Sequence, residues 1–232
     1  MQFNEAQIQA IQHNTGPCMV IAGPGSGKTT VLTHRVRYLI ERYGVNPSDI
    51  LVITFTKAAA EQMKLKFKGL SEGRNSAVTF GTFHAVFFTI LKAAYNYSAH
   101  CIIKPQIQHE FVKDQMCRLE LEYDDENEAV AGVLSEISCV KGEDVNIDEY
   151  ESRCIPPQSF RIMYRAYDDM LVRKHLIDFD DMIVQCRELL MQREDYRRAW
   201  QNKYKYILID EFQDINKAQF DVVRILADEY RN

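Results

Sequence analysis

Gly23, Gly27, Lys28 and Thr29 stand in "GPGSGKTT" (23–30) at the spacing G-x-x-x-x-G-K-[ST]. Glycines so placed let backbone N–H groups turn inward around an anion at the positive end of a following helix. The lysine of such a loop reaches the outer phosphates of a nucleotide, and the threonine hydroxyl can ligate Mg²⁺. The whole loop, Gly23, Pro24, Gly25, Ser26, Gly27, Lys28, Thr29 and Thr30, is therefore the predicted site for the phosphates of a nucleotide with Mg²⁺. A site of this kind needs an acidic residue from the end of a neighbouring strand to hold the metal. "KYILIDEFQDIN" (205–216) provides Asp210 at the end of an apolar run. Glu211 follows, and because side chains alternate along a strand it points elsewhere. That leaves Glu211 free to position and deprotonate an attacking water.

Such residues need a sheet to hold them. Four short apolar runs read as buried strands: "CMVIA" (18–22), "ILVITF" (50–55), "AVTFGTF" (77–83) and "YILID" (206–210). Helical patterns run from Lys28 to about Tyr43 and from Thr56 to about Phe67, and strand–helix alternation of this kind predicts a parallel sheet covered on both faces. From Ala85 to Ile183 strand-like runs give way to helical periodicity. Its clearest stretch is 160–177, with Ile162, Met163, Ala166, Met170 and Leu171 on one stripe and Pro157 at the helix start. The fold class is α/β, a phosphate-loop sheet with an inserted all-helical subdomain. In "DFDDM" (178–182), Asp178 or Asp180 suits a helix cap better than a metal ligand.

Composition agrees with a folded chain. Its 232 residues are 46% hydrophobic and 26% charged, which supports a full core and excludes disorder as the main state. No stretch approaches the ~18 uninterrupted apolar residues of a membrane span, and the first ten residues lack a signal-peptide pattern; these features point to the cytoplasm. Six scattered cysteines form no C-x-x-C pair and read as reduced, mostly buried thiols. The charge is uneven: residues 110–151 hold fourteen Asp/Glu against three Lys/Arg, so the remainder of a chain at −5 carries +6. A face that meets an acidic polymer must lie outside that block, for which Arg161, Arg165, Arg173 and Lys174 offer a basic patch.

"AGPGSGKTT", "TFTKAAAEQM" (54–63), "GTFHA" (81–85), "DFDDM" and "DEFQD" (210–214), in this order, resemble the UvrD/Rep/PcrA group of superfamily 1 DNA helicases. "FNEAQ" (3–7) resembles the group's Q motif, which implies that Gln7 reads the adenine. The resemblance implies a RecA-like motor domain from residues 1–84 and 184–232, with a helical insertion at 85–183. It also implies a single-stranded DNA track along Thr54, Phe55, Thr56 and Lys57 and along Thr82, Phe83 and His84. An aromatic ring there would be a sequence-tolerant stacking platform. Phe83 also ends an apolar run and fits the core equally, and His84 fits a satisfied polar neighbour. Position 30 is Thr where the group commonly has Arg, and "KAAAEQ" (57–62) is as similar to AddA- and RecB-like helicase–nucleases.

The group's next motif, of the type GDxxQSIY, does not follow Asp214, nor do a second RecA-like domain and its arginine fingers. The sequence therefore reads as the N-terminal part of an ATP-dependent helicase that moves on single-stranded DNA and at single–double-strand junctions. Its partners would be that DNA and the parent's second motor domain. A self-standing ATP- or DNA-binding module without turnover is the reading from a different class.

Overall fold

The computed structural model describes residues 3–71 and 77–232. The chain divides into two compact units, one of Met1–Val86, Leu189–Ile215 and Val222–Asn232, the other of Phe87–Glu188 and Asn216–Asp221.

The first unit is built on a parallel sheet. Its strands are β1 (Ile50–Thr54), β2 (Thr79–Thr82) and β3 (Tyr206–Ile209), in the order β2-β1-β3. Leu51 is level with Thr79 and Thr54 with Thr82, while Ile50 is level with Tyr206 and Ile53 with Ile209. All five β1 residues are buried, as a central strand covered on both faces requires. Ile50 and Val52, with Leu208 of β3, face Val36 and Leu39 of α2 (Lys28–Tyr43) and Met63 and Phe67 of α3 (Lys57–Leu70). A smaller cluster joins Ala10 and Ile11 of α1 (Glu5–Gln12) to Val31 of α2. At the outset of β3, the Lys205 Nζ lies 2.8 Å from an Asp49 carboxylate oxygen, which fixes its register against β1.

One expected strand is not formed. Residues 18–22 take no strand conformation, and Met19, Val20 and Ile21 are 72%, 51% and 92% exposed. The cause is the lack of a ladder partner. The Ile207 amide of β3 donates to the Asn232 carbonyl (3.1 Å), and the Gly16 amide donates to the Asn232 side-chain oxygen (2.7 Å). Asn232 thus occupies the Ile207 amide, and no described strand pairs with 18–22. Apolar side chains alone do not make a strand when the backbone N–H and C=O groups have nothing to pair with.

The second unit is helical. Its core packs Val112 and Met116 of α5 (Pro105–Arg118), Val130, Val133, Ile137 and Val140 of α6 (Glu126–Glu143), and Phe160, Met163, Tyr167, Met170 and Leu171 of α7 (Pro157–Lys174). Pro157 is the first helical residue of α7 as expected. The apolar stripe is shifted, however: Ile162 is 46% exposed and Tyr167 is buried in its place. Two members of the expected basic patch, Arg161 and Arg165, are not free. Arg161 lies 3.0 Å from Glu151 and also donates to the carbonyls of Ile147 and Tyr150, and Arg165 pairs with Asp148. Part of the acidic block is spent on these pairs.

"DFDDM" starts α8 (Phe179–Gln192). Asp178 accepts from the Asp181 amide at 2.7 Å and Asp181 accepts from the Asp178 amide at 3.2 Å, a reciprocal cap with Asp178 at its head. Asp180 is not the cap. The same acids surround Lys141, whose Nζ is 2.7 Å from Asp181, 3.0 Å from Asp178 and 3.1 Å from Asp168.

The cysteines depart from expectation. All six are free, but Cys186 alone is buried; Cys18, Cys117, Cys139 and Cys154 are exposed, and Cys101 is intermediate. Cys117, Cys139 and Cys186 follow the helix face they fall on, and Cys18 and Cys154 lie outside helices and strands, which composition does not reveal.

Candidate functional site

Every candidate site residue lies in the first unit. The loop 23–30 leads into α2, whose N-cap is Gly27 at φ 82°, ψ 23° with no side-chain cap. Left-handed backbone at Gly27, and at Gly25 (φ 73°), costs an L side chain about 1–2 kcal/mol. The uncapped first turn leaves N–H donors for an anion. Gly23, Pro24, Gly25 and Ser26 are exposed, and Gly27, Lys28, Thr29 and Thr30 are half-buried. This open, donor-lined turn suits a phosphate chain.

Gln7 is held on both ends of its amide. Its Oε1 accepts from the Asn4 amide (3.0 Å) in the cap of α1, and its Nε2 donates to the Ser26 carbonyl of the loop (3.1 Å). Gln7 therefore ties α1 to the phosphate loop.

Opposite the loop, the Asp210 amide donates to the Ile53 carbonyl (2.9 Å), which sets the carboxylate just past the end of β3. Asp210 is 8% exposed. Burial raises its pKa, the Glu211 charge raises it further, and the Glu211 backbone N–H and the Lys28 ammonium oppose the rise. The strand ends at Ile209, so Glu211 is not turned aside by strand alternation as expected. It adopts left-handed φ 53°, ψ 46°, a conformation that is uncommon for a residue with a side chain and collects at functional sites. This turn brings a Glu211 oxygen to 3.8 Å from Lys28 Nζ, which also lies 3.4 Å from the Ala22 carbonyl. The other Glu211 oxygen accepts from Gln213 Nε2 at 2.7 Å, and Gln213 reaches Asp214 at 3.2 Å. Sequence reasoning missed Gln213, although its place two residues after the acid pair was visible.

Among the described residues no group of three or more His, Cys, Asp or Glu side chains could hold a metal ion. A single buried carboxylate beside a phosphate loop fits Mg²⁺ all the same, since that ion takes one or two carboxylates and completes its shell with phosphates and water. Asp210 and the Thr29 hydroxyl are the groups that would hold it.

The parallel order puts three strand ends on one edge: Asp210 after β3, Phe55 after β1, Thr82 at the end of β2. Ligands of open parallel sheets gather at this carboxyl edge. Thr56 caps α3, accepting from the Ala59 amide at 3.1 Å, and Thr82 caps α4 (Phe83–Ala94), accepting from the Ala85 amide at 3.2 Å. Each hydroxyl keeps its proton for donation. Lys57 extends from the first turn of α3 with its side chain 89% exposed. Burial lowers the pKa of His84, so its imidazole is neutral near pH 7.

Two expected contacts are corrected. Thr54 is 3% exposed and Phe83 is 1% exposed, so neither side chain offers a surface to a polymer. Thr54 belongs to the central strand, and Phe83 backs Phe55, with ring centroids 5.3 Å apart. Phe55, half-buried, is the ring left at the edge.

A parallel sheet with a phosphate loop on one side and an acid pair at the end of a neighbouring strand defines a RecA-like α/β domain. The chain belongs to the UvrD/REP helicase N-terminal domain family, whose model matches residues 3–232. It is 32% identical over 242 residues to the ATP-dependent DNA helicase PcrA of Staphylococcus epidermidis, covering 99% of this chain and 32% of that protein. It is 31% identical over 239 residues to the ATP-dependent DNA helicase PcrA of Staphylococcus aureus, with 99% and 32% covered. The chain thus spans about a third of the length of these relatives.

Proposed function

We propose that this chain is the first motor domain, with its helical insertion, of an ATP-dependent DNA helicase. Mg-ATP binds at 23–30, with Lys28 on the outer phosphates and Asp210 and Thr29 on the metal. Glu211 takes the proton of the attacking water, and Gln7 reads the adenine. Single-stranded DNA runs along the carboxyl edge over Phe55, Thr56, Lys57, Thr82 and His84. The observation that carries this reading is the pairing of Lys28 with Glu211 at 3.8 Å beside the buried Asp210. A phosphate-sensing lysine and a catalytic carboxylate thereby share one point, at the same sheet edge as two helix N-termini suited to a polyanion.

A second motor domain closes the cleft and supplies arginine fingers. The relatives, three times as long, leave ample chain for it. No described helix is long and apolar enough to cross a membrane. The helicase acts on single strands and on junctions with duplex.

The test is ATP binding and hydrolysis by the 232-residue chain, with Lys28→Ala as the blank. Lys28→Ala is expected to weaken ATP binding about 10–100-fold, because a hydrogen bond to a charged group contributes about 1.5–3 kcal/mol. The chain alone is expected to bind ATP and to hydrolyse no more than the blank, since it holds one wall of the cleft. Equal binding by both proteins would remove 23–30 as the nucleotide site.

The DNA edge has its own test. Phe55→Ala should lower the affinity for an oligothymidine by the equivalent of about 1–3 kcal/mol per stacked base without altering its salt dependence. Lys57→Ala should instead reduce the slope of log affinity against log salt by about one. Fluorescence anisotropy at several salt concentrations reads both, and unchanged affinity in both variants would move the DNA elsewhere.

A further inference from the structure

Lys66 lies outside every motif, and the structure gives it a position beside the phosphate loop. It is exposed on α3, and its Nζ donates to the Thr30 hydroxyl oxygen at 3.0 Å. Thr30 is in the first turn of α2, next to Thr29, at a loop position with no charge of its own. Lys28, the other cation of the loop, faces Glu211 and the Ala22 carbonyl instead.

Among the described residues no carboxylate pairs with Lys66. An ammonium resting on a hydroxyl keeps its full charge and two further N–H donors, and the hydroxyl, having accepted, has its own proton free to donate. Thr30 and Lys66 together therefore present donors and one unneutralised positive charge. His34, four residues after Thr30 on α2, has its pKa lowered by burial first, then by Arg37 and by Lys66. His34 is thus neutral near pH 7, its ring set edge-on to Phe3 at 4.8 Å.

We propose that Lys66 is a further nucleotide-binding residue, which reaches in from α3 to bind the phosphate chain of the nucleotide alongside Thr30. The inference rests on the reading of 23–30 as the nucleotide site. It gives α3 two contacts to the ligands of this domain: its cap Thr56 and first residue Lys57 lie at the DNA edge, and its third turn touches the nucleotide. Sequence pattern could not show it, because the approach depends on how α3 packs on α2 rather than on any spacing.

Titration of a fluorescent ATP analogue into the 232-residue chain tests it, at two salt concentrations. Lys66→Met is expected to weaken binding about fivefold, in keeping with an exposed charge contact, and to flatten the salt dependence. Lys66→Arg should restore binding to within about twofold. Lys64→Met, an exposed lysine two residues away, should bind as the wild type does. Thermal unfolding of Lys66→Met should match the wild type. Thr30→Val, which keeps the ammonium but removes its anchor, should lose part of the affinity. Wild-type affinity and salt dependence in Lys66→Met would overturn the proposal, as would a lowered Tm with no rescue by Arg, which marks a structural role. If the wild type binds no better than Lys28→Ala, the nucleotide site itself is misplaced and this inference falls with it, a result distinct from the other two.

Discussion

Glu211→Gln, on the function proposed above, should bind ATP within about twofold of the wild type and, in a chain that also carries the proposed second motor domain, should hydrolyse it about 10²–10⁴ times more slowly, the usual contribution of a positioned general base. The geometry separates the two effects. Glu211 sits in a left-handed turn after β3, and Gln213 holds one of its oxygens at 2.7 Å. A glutamine keeps an oxygen to accept that bond and keeps the side chain's shape. What it loses is the ability to accept a proton from water. Its weak link to Lys28, at 3.8 Å between half-exposed side chains, is lost too, which slightly frees Lys28 for phosphate. Asp210→Asn should behave oppositely: the buried carboxylate that would hold Mg²⁺ is gone, so affinity should lose its dependence on magnesium. Single-turnover hydrolysis with and without single-stranded DNA, beside equilibrium binding, distinguishes the pair. Unchanged turnover in Glu211→Gln removes Glu211 from the mechanism, and the water would then need another base.

The phosphate loop was legible because it is a local device. Gly25 and Gly27 adopt positive φ, which few other residues tolerate, so the glycines mark the geometry that needs them. The strands β1 and β3 were legible for the same kind of reason, as short apolar runs long enough to cross a sheet. Burial was less legible, because it depends on what another part of the chain brings. "CMVIA" is as apolar as "YILID", yet 18–22 lies exposed for lack of a partner while β3 pairs with β1. Phe55 and Phe83 occupy equivalent places after parallel strands, and only packing decides that Phe83 is core and Phe55 is the edge ring. For Glu211 the expected cause does not apply, because the strand ends at Ile209. Alternation would have turned its side chain; a left-handed backbone turn does so instead, and no residue type at 211 announces it.

Lys141 supplies the largest expected change in stability. Its side chain is 4% exposed, and Asp178, at 4%, and Asp181, at 17%, lie within 3.0 Å and 2.7 Å of its ammonium. Burial alone would lower its pKa, but Asp178, Asp181 and Asp168 together outweigh burial and raise it. Lys141→Met leaves these carboxylates in the interior without a counter-charge, which should cost about 3–5 kcal/mol near pH 7. The cost should shrink in acid, where the acids can protonate. Even with lysine present, burial and then the Asp178 charge push Asp181 up to about 6 from 3.8. A carboxyl whose pKa is higher folded than unfolded contributes stability that is complete below about 4 and is lost as the pH rises through about 6. Asp181→Asn keeps an oxygen for the Asp178 amide in the reciprocal cap and removes one of three acids facing one lysine. It should therefore be mild at pH 7 and should flatten the stability profile between pH 4 and 6. Urea unfolding of the wild type and both variants at pH 5 and pH 7 measures this. A Lys141→Met deficit below about 1 kcal/mol at pH 7 would mean that water reaches the cluster and screens it, as at exposed ion pairs.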